Sequence, residues 1–274
     1  MTINCKGTLI DLSTPKVMGI LNITPDSFYD GGHYKNEVSI LNQVEKMLNE
    51  GATFIDLGAY SSRPGADQVS ETEELKRIIP IVELLVAKFP DINLSIDTFR
   101  SNIAKKCISA GAAMVNDISA GQLDSTMLET VGKLNVPYIM MHMKGTPQTM
   151  QQFTDYEDLI KDIIYYFSER ITEARSHKIN DIIIDPGFGF SKTLEQNYKL
   201  LNNLKLLNII GLPILVGVSR KSMIYKLLNN SPNEALNGTT SLNTIALLRG
   251  AKILRVHDVK EAMECVKLTN QLNS

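Results

Sequence analysis

Eight polar residues of this 274-residue chain stand where a short apolar run stops, and their types suggest a common use. They are Asn22, Asp56, Asp97, Asn116, Asp185, Lys221, Arg255 and His257. Asp97, Asn116, Asp185 and Lys221 supply both acceptors and donors, which a flat, nitrogen-rich heterocycle requires when its polar edges are taken out of water. Arg255 and His257 lie two residues apart, close in pattern to Ser219 and Asn22, and a guanidinium beside an imidazole suits an anion such as phosphate. A divalent cation could share that charge, with the Asn22 amide as a hard oxygen ligand. Taken singly, a strand-end Asp or Asn is better explained as a turn or helix cap, whereas a ring of them is not. Arg255 likewise has an ordinary alternative, a salt bridge to a neighbouring carboxylate.

The elements that must position these residues can be read from hydrophobic spacing. The runs Val17 to Leu21, Thr53 to Leu57, Ile92 to Ile96, Ala112 to Val115, Tyr138 to Met141, Ile182 to Ile184, Ile214 to Val218 and Ile253 to Val256 fit buried strands. Amphipathic segments separate them: Val38, Leu41, Val44, Met47 and Leu48 share one helical face, and Leu75, Ile78, Ile79, Val82 and Val86 another. Later helices are expected over Leu159 to Ala174, Leu194 to Leu206, Ala235 to Leu248 and Val259 to Leu272, with Gly51 as a helix stop. Near-continuous apolar strands alternating with helices imply a parallel sheet covered on both faces, and eight such units close most naturally into a (β/α)8 TIM barrel. A doubly wound open sheet is the alternative, but no GxGxxG follows the first strand. Met1 to Thr14 fits a short N-terminal hairpin turning near Gly7. One domain over residues 1–274 is expected. In a barrel, strand C-terminal ends form the active-site rim, so the eight polar residues would converge there. Two segments rich in Gly, Pro and Ser, Ile23 to Tyr34 and Tyr60 to Gln68, would be mobile loops next to that rim.

Composition narrows the class. The 30 acidic and 28 basic residues give a formal charge of -2, with no basic block to track nucleic acid. Cys5, Cys107 and Cys265 are odd in number and far apart, which favours reduced thiols over disulfides or a zinc site. No apolar run approaches the roughly 20 residues needed to cross a bilayer, and no secretory leader pattern opens the chain, so a soluble cytoplasmic protein is expected. P-loop, GxSxG and HExxH patterns are missing, which removes support for nucleotide hydrolysis, serine hydrolysis and zinc proteolysis.

Taken together, the segments MGILNITPDSFYDGG, SSRPGA, SIDTF, VNDISAG, MMHMKGTPQTM, IIIDPGFGF, GVSRKSMI and GTTSLNTIALLRGAKILRVHDV closely resemble the dihydropteroate synthase family of pterin-binding barrels. The resemblance covers almost the whole chain. It implies a homodimeric barrel enzyme of folate biosynthesis that joins 6-hydroxymethyl-7,8-dihydropterin diphosphate to p-aminobenzoate and releases diphosphate, with Mg2+ as cofactor. Carried over by motif, Asp97, Asn116, Asp185 and Lys221 would bind the pterin with Met140 against its ring. Asn22, Arg255 and His257 would hold diphosphate, Asn22 also reaching the metal. Phe28, Ser62, Arg63, Pro64, Phe190, Ser219 and Lys221 would shape the p-aminobenzoate site, and Asp97, Lys221, Arg255 and His257 would carry the chemistry. Where relatives often show Gly-Glu-Ser-Thr, this chain has Ala59, Tyr60, Ser61 and Ser62, so Tyr60 replaces an acid in the stem of the second loop. A corrinoid-linked pterin methyltransferase would need no anion corner, and a non-catalytic paralogue would be expected to lose Arg255 or Lys221.

Overall fold

The computed structural model describes residues 1–23, 33–60 and 69–272, with side chains omitted for 33–36. Strands β1 (Thr2–Cys5) and β2 (Thr8–Asp11) pair antiparallel, Cys5 opposite Thr8. Their two-residue connection, Lys6 and Gly7, has φ of 54° and 84°, the left-handed pair that matches strand twist in a tight hairpin.

Eight parallel strands follow: β3 (Lys16–Asn22), β4 (Phe54–Gly58), β5 (Leu94–Asp97), β6 (Met114–Asp117), β7 (Tyr138–Met141), β8 (Ile182–Asp185), β9 (Leu215–Val216) and β10 (Ile253–Val256). The hydrogen-bonded order is β8-β7-β6-β5-β4-β3-β10-β9, and a parallel bridge between Ile184 and Ile214 joins the two ends into a barrel. Helices α1 (His33–Asn49), α2 (Glu71–Lys88), α3 (Ser101–Ser109), α4 (Met127–Leu134), α5 (Leu159–Ser176), α6 (Leu194–Asn202), α7 (Ser222–Tyr225), α8 (Leu236–Leu248) and α9 (Val259–Gln271) occupy the connections. The expected (β/α)8 barrel with an N-terminal hairpin is therefore the observed fold.

Three details differ from the periodicity. Val38 on α1 is exposed, although Val44 and Met47 on that helix are fully buried. The helix expected to reach Leu206 ends at Asn202 and continues as a 3-10 segment over Leu204–Ile210. Strand β9 spans two residues rather than five: Leu215 and Val216 pair with β10, Ile214 forms only an isolated bridge to Ile184, and Gly217 and Val218 make no ladder contact.

Side-chain alternation sorts every strand. Val17, Leu21, Ile55, Leu57, Leu94, Ile96, Val115, Tyr138, Met140, Ile182, Ile184, Val216, Leu254 and Val256 belong to the large cluster shared with the helices. The opposite phase, Met18, Phe54, Met114, Ile139, Ile183, Leu215 and Ile253, fills the barrel's lower interior together with Ile3, Cys5 and Leu12 from the hairpin segment. The hairpin thus plugs the N-terminal end. Continuing the inner phase two residues up each strand leads to Asp56, Asn116, Met141, Asp185, Arg255 and, with two steps, Asn22, Ser219 and His257.

Candidate active site

Asp56 lies at the centre of the site, fully buried on the inner face of β4. Its Oδ2 accepts from Arg255 Nε at 2.6 Å and from Asn116 Nδ2 at 3.0 Å. Arg255 Nη2 donates to Asp97 Oδ2 at 2.7 Å, so one guanidinium from β10 ties β4 and β5 across the barrel. Asp56 Oδ1 is buried with no partner among the described residues, an acceptor open to a bound donor. Gly58 keeps the space beside this cluster clear, since a Cβ there would meet Asp97 Cβ at 3.4 Å and both Asn22 Oδ1 and Asp97 Oδ2 at 3.6 Å. The two alternatives for Arg255 are therefore not exclusive: it lies in the expected corner and is held there by carboxylates.

Burial sets the charge balance of this cluster. Desolvation pushes the Asp97 carboxyl up to about 7, Arg255 opposing and Asp56, Glu74 and Asp117 adding to the rise. Asp185 is also raised by burial, with Lys221 its main opposing charge. Lys221 is pulled down to about 8 by desolvation against the favourable pull of Asp185. Its Nζ donates to the Phe188 carbonyl and lies 4.9 Å from the Phe190 ring centroid. Asp185 Oδ1 accepts from Gly187 N at 2.8 Å, which closes a turn directly after β8. Gly187 has φ of 71°, and a Cβ on it would stand 2.1 Å from the His142 carbonyl oxygen, so only glycine fits.

On the other side of Arg255, Ser219 Oγ lies 3.0 Å from His257 Nδ1 and accepts from the His257 backbone N–H at 3.2 Å. Asn22, at the end of β3, is exposed at the same rim. Thus Asn22, Asp97, Asn116, Asp185, Ser219, Lys221, Arg255 and His257 come to one end of the barrel. Phe28, Ser62, Arg63 and Pro64 lie outside the described residues.

Met140 requires a correction. It is fully buried among the helix-facing residues, sharing its phase with Tyr138. Met141 is on the inner phase and packs with Ile118, Met143 and Met150, against which Phe99, Leu123 and Phe190 also pack. In a four-residue run of uniformly apolar residues, nothing local distinguishes the two faces. The register does, because Met141 is opposite Asp185.

Several contributors were not singled out from sequence. Asp117, at the end of β6 but on its outer phase, accepts from Ser119 N and Oγ, Gly121 N and Tyr138 Oη, all within 2.8 Å, and fixes the turn above Asn116. Glu74 of α2, 1 % exposed, accepts from Thr98 Oγ1 at 2.8 Å and pairs with Arg100. Arg100 in turn donates to the Val69 carbonyl at 2.7 Å and faces the Tyr60 and Phe99 rings at 5.6 and 5.1 Å. Gln148 Nε2 donates to Tyr60 Oη at 3.1 Å. Tyr60 is therefore anchored by a cation, an aromatic edge and an amide. These groups line a cleft of about 210 Å³ with Leu123, Thr146 and Pro147 above β5 to β7. The only sequence signal was that Thr98 and Arg100 directly follow Asp97.

Known proteins share this chain's sequence and fold. Residues 18–257 match the family model described as pterin binding enzyme. The chain is 43 % identical over 270 residues to the dihydropteroate synthase of Escherichia coli (strain K12), covering 98 % of this chain and 95 % of that protein. It is 45 % identical over 259 residues to that of Synechocystis sp., covering 93 % and 89 %. The Yersinia pestis dihydropteroate synthase in complex with a sulfonamide drug superposes with a TM-score of 0.93 at 44 % identity, over 100 % of this chain and 99 % of that one. The Xanthomonas albilineans enzyme with 4-aminobenzoic acid gives 0.91 at 36 %, over 100 % and 98 %. The chain thus belongs to the dihydropteroate synthase family of pterin-binding enzymes.

Proposed function

We propose that the rim cluster performs the family's reaction, with each group in the role its surroundings favour. The protein is a pterinylmethyl transferase of folate biosynthesis, condensing 6-hydroxymethyl-7,8-dihydropterin diphosphate with p-aminobenzoate to dihydropteroate and diphosphate. The observation that carries the site assignment is the shared inner phase of Asp97, Asn116, Asp185 and Arg255 around buried Asp56.

Asp97, Asn116, Asp185 and Lys221 bind the pterin's polar edges, and the Asp56 oxygen that has no partner among the described residues lies within the same desolvated cluster. Met141 replaces Met140 as the thioether facing the ring. Departure of diphosphate leaves positive charge on a methylene conjugated with the pterin. Asp97 and Asp185 favour that charge through preorganised electrostatics. Arg255 and His257 receive the leaving anion, and Arg255 stays oriented through Asp56 and Asp97. The arylamine lone pair attacks the methylene carbon without a general base, and the amine proton is lost to solvent or diphosphate after the bond forms. Phe190, Ser219 and Lys221, with Phe28, Ser62, Arg63 and Pro64 from the loops, enclose p-aminobenzoate. Sulfonamides, which resemble p-aminobenzoate, compete there.

Three carboxylates, Asp56, Asp97 and Asp185, against the two cations Arg255 and Lys221 leave one net negative charge when all are ionised, a poor field for diphosphate alone. A cation is needed, and the exposed Asn22 amide beside Asp97 offers hard oxygen donors. Mg2+ held at Asn22 would neutralise the departing diphosphate oxygens.

The reading also takes residues 1–274 as one domain, supported by Ile3 and Leu12 closing the barrel floor, and the protein as cytoplasmic. Among the described residues no helix is long and apolar enough to cross a membrane, and all three cysteines are free and buried. A homodimer is supported by exposed Ile245 and Leu248 on α8 and Leu268 on α9. Incubating the purified protein with both substrates and Mg2+ should yield dihydropteroate and diphosphate in equal amounts by mass spectrometry and phosphate assay; methyl transfer alone would reject the reading.

A further inference from the structure

Lys192 is 4 % exposed, and its Nζ has three acceptors: the Gly187 carbonyl at 2.9 Å, the Phe190 carbonyl at 3.0 Å and His142 Nδ1 at 3.1 Å. An ammonium carries three donors and no acceptor, so while Lys192 is charged these three acceptors fill it and His142 accepts through Nδ1. Burial keeps that imidazole neutral by holding its pKa well below the usual histidine range. A buried charge is expensive when its contacts only brace a loop. Here the braced loop is part of the site. Phe188, between the two carbonyls that Lys192 holds, gives its own carbonyl to Lys221, so one short segment is suspended between two ammonium groups. The Gly187 N–H orients Asp185, and the His142 backbone N–H donates to the Asp185 carbonyl at 2.9 Å.

We infer that Lys192 is a positioning residue for the transferase reaction: its ammonium joins the end of β7 to the 187–190 segment and thereby sets the pterin-binding carboxylate of Asp185 and the Lys221 amine in register. The same charge acts on Asp185 across the Gly187 turn. Asp185 faces Lys221, Arg255 and Lys192, each of which lowers its raised pKa. Lys192 faces Asp185, Lys221, Lys144 and His142, and desolvation brings it to about 7.

The inference rests on Asp185 binding pterin, which Asp185→Asn tests separately: if that variant keeps its KM for pterin diphosphate, the site assignment fails whatever Lys192 does. For Lys192 itself, Lys192→Met is compared with the unchanged enzyme at pH 6 to 9, normalised to folded protein by its thermal melt. The KM for pterin diphosphate should rise about ten-fold, the size of one charge-assisted contact. The deficit should be largest at pH 6, where Lys192 of the unchanged enzyme is charged, and should shrink towards pH 9, where that amine has released its proton. Asp97 titrates in both proteins and drops out of the ratio. His142→Phe keeps a ring but removes one acceptor, and should raise the same KM by a smaller factor. It decides the matter if Lys192→Met does not fold. An unchanged KM in folded protein, or a deficit equal at every pH, would overturn the inference and leave Lys192 a structural brace.

Discussion

At the scale of single residues, the site works by placing charges where water cannot screen them. Lys221 shows the consequence. The unfolded chain holds that proton up to the ordinary lysine value of 10.5, whereas the folded protein releases it at about 8. Between those values the unfolded state binds more protons, so this group's contribution to stability grows as pH rises. Binding has the opposite sign, because the amine pairs with ligand and with Asp185 only while charged. The affinity for pterin diphosphate should therefore fall above about pH 8 while thermal stability does not. Lys221→Met should bind weakly at every pH and lack that alkaline limb; titration calorimetry from pH 6.5 to 9.5 reads both. Arg255 gives a contrasting case. Arg255→Ala removes the partner of fully buried Asp56, and breaking a buried pair from one side costs about 3 to 5 kcal/mol. Urea melts should show a destabilisation of that order together with loss of turnover. Asp185→Asn should weaken pterin binding with a much smaller shift in melting.

Within the elements, strand alternation decides which of two chemically identical neighbours meets the substrate. Met140 and Met141 differ by one step along β7, and that step turns one toward the helices and the other toward Phe190. Met140→Ala should cost about 2 to 5 kcal/mol by the cavity it leaves and keep the KM of the folded enzyme. Met141→Ala should raise the pterin KM. If the two effects were exchanged, the inner phase assigned to β7 would be wrong. The same logic explains Arg100, whose position after β5 lets it reach Glu74 on α2, Val69 and the Tyr60 ring at once. Tyr60 is held by a cation and an aromatic edge, which offer a ring what an ion pair offers a carboxylate.

Across the whole molecule, the barrel divides stability from chemistry. The hairpin and the lower interior form an apolar plug of Ile3, Cys5, Leu12, Met18 and Phe54, while the charged residues gather at the opposite end. Leu12 has no exposed surface, so Leu12→Ala should lower the unfolding free energy by about 2 to 5 kcal/mol. Because that change lies at the far end of the strands from Asp97 and Asp185, kcat and both KM values per folded molecule should be unaffected. Altered kinetics in the folded variant would show that the two ends are coupled. Desolvation of Cys5 in this plug pushes its thiol up to about 12, which makes it a packing group with little nucleophilic character.

What the sequence determined by itself was the order of elements and the polar group at each strand end. Both are local: an apolar run of four or five residues, a turn signal and an amphipathic helix are each written in consecutive positions, and their eightfold repetition implies a closed parallel sheet. It also determined that Asp97, Asn116, Asp185 and Arg255 belong together, since strands in register bring equivalent positions to one rim. Tertiary structure alone decided the pairing within that rim. That Asp56 is the hub for Arg255 and Asn116 depends on contacts across 199 and 60 residues, which no spacing records. The choice of Met141 over Met140 depends on register against β8, and the clustering of Lys192 with His142 on a chain reversal 50 residues long. Periodicity tells which side chains share a face. Only the closed barrel determines which faces meet, how much water they exclude and, through that exclusion, what charge each group carries.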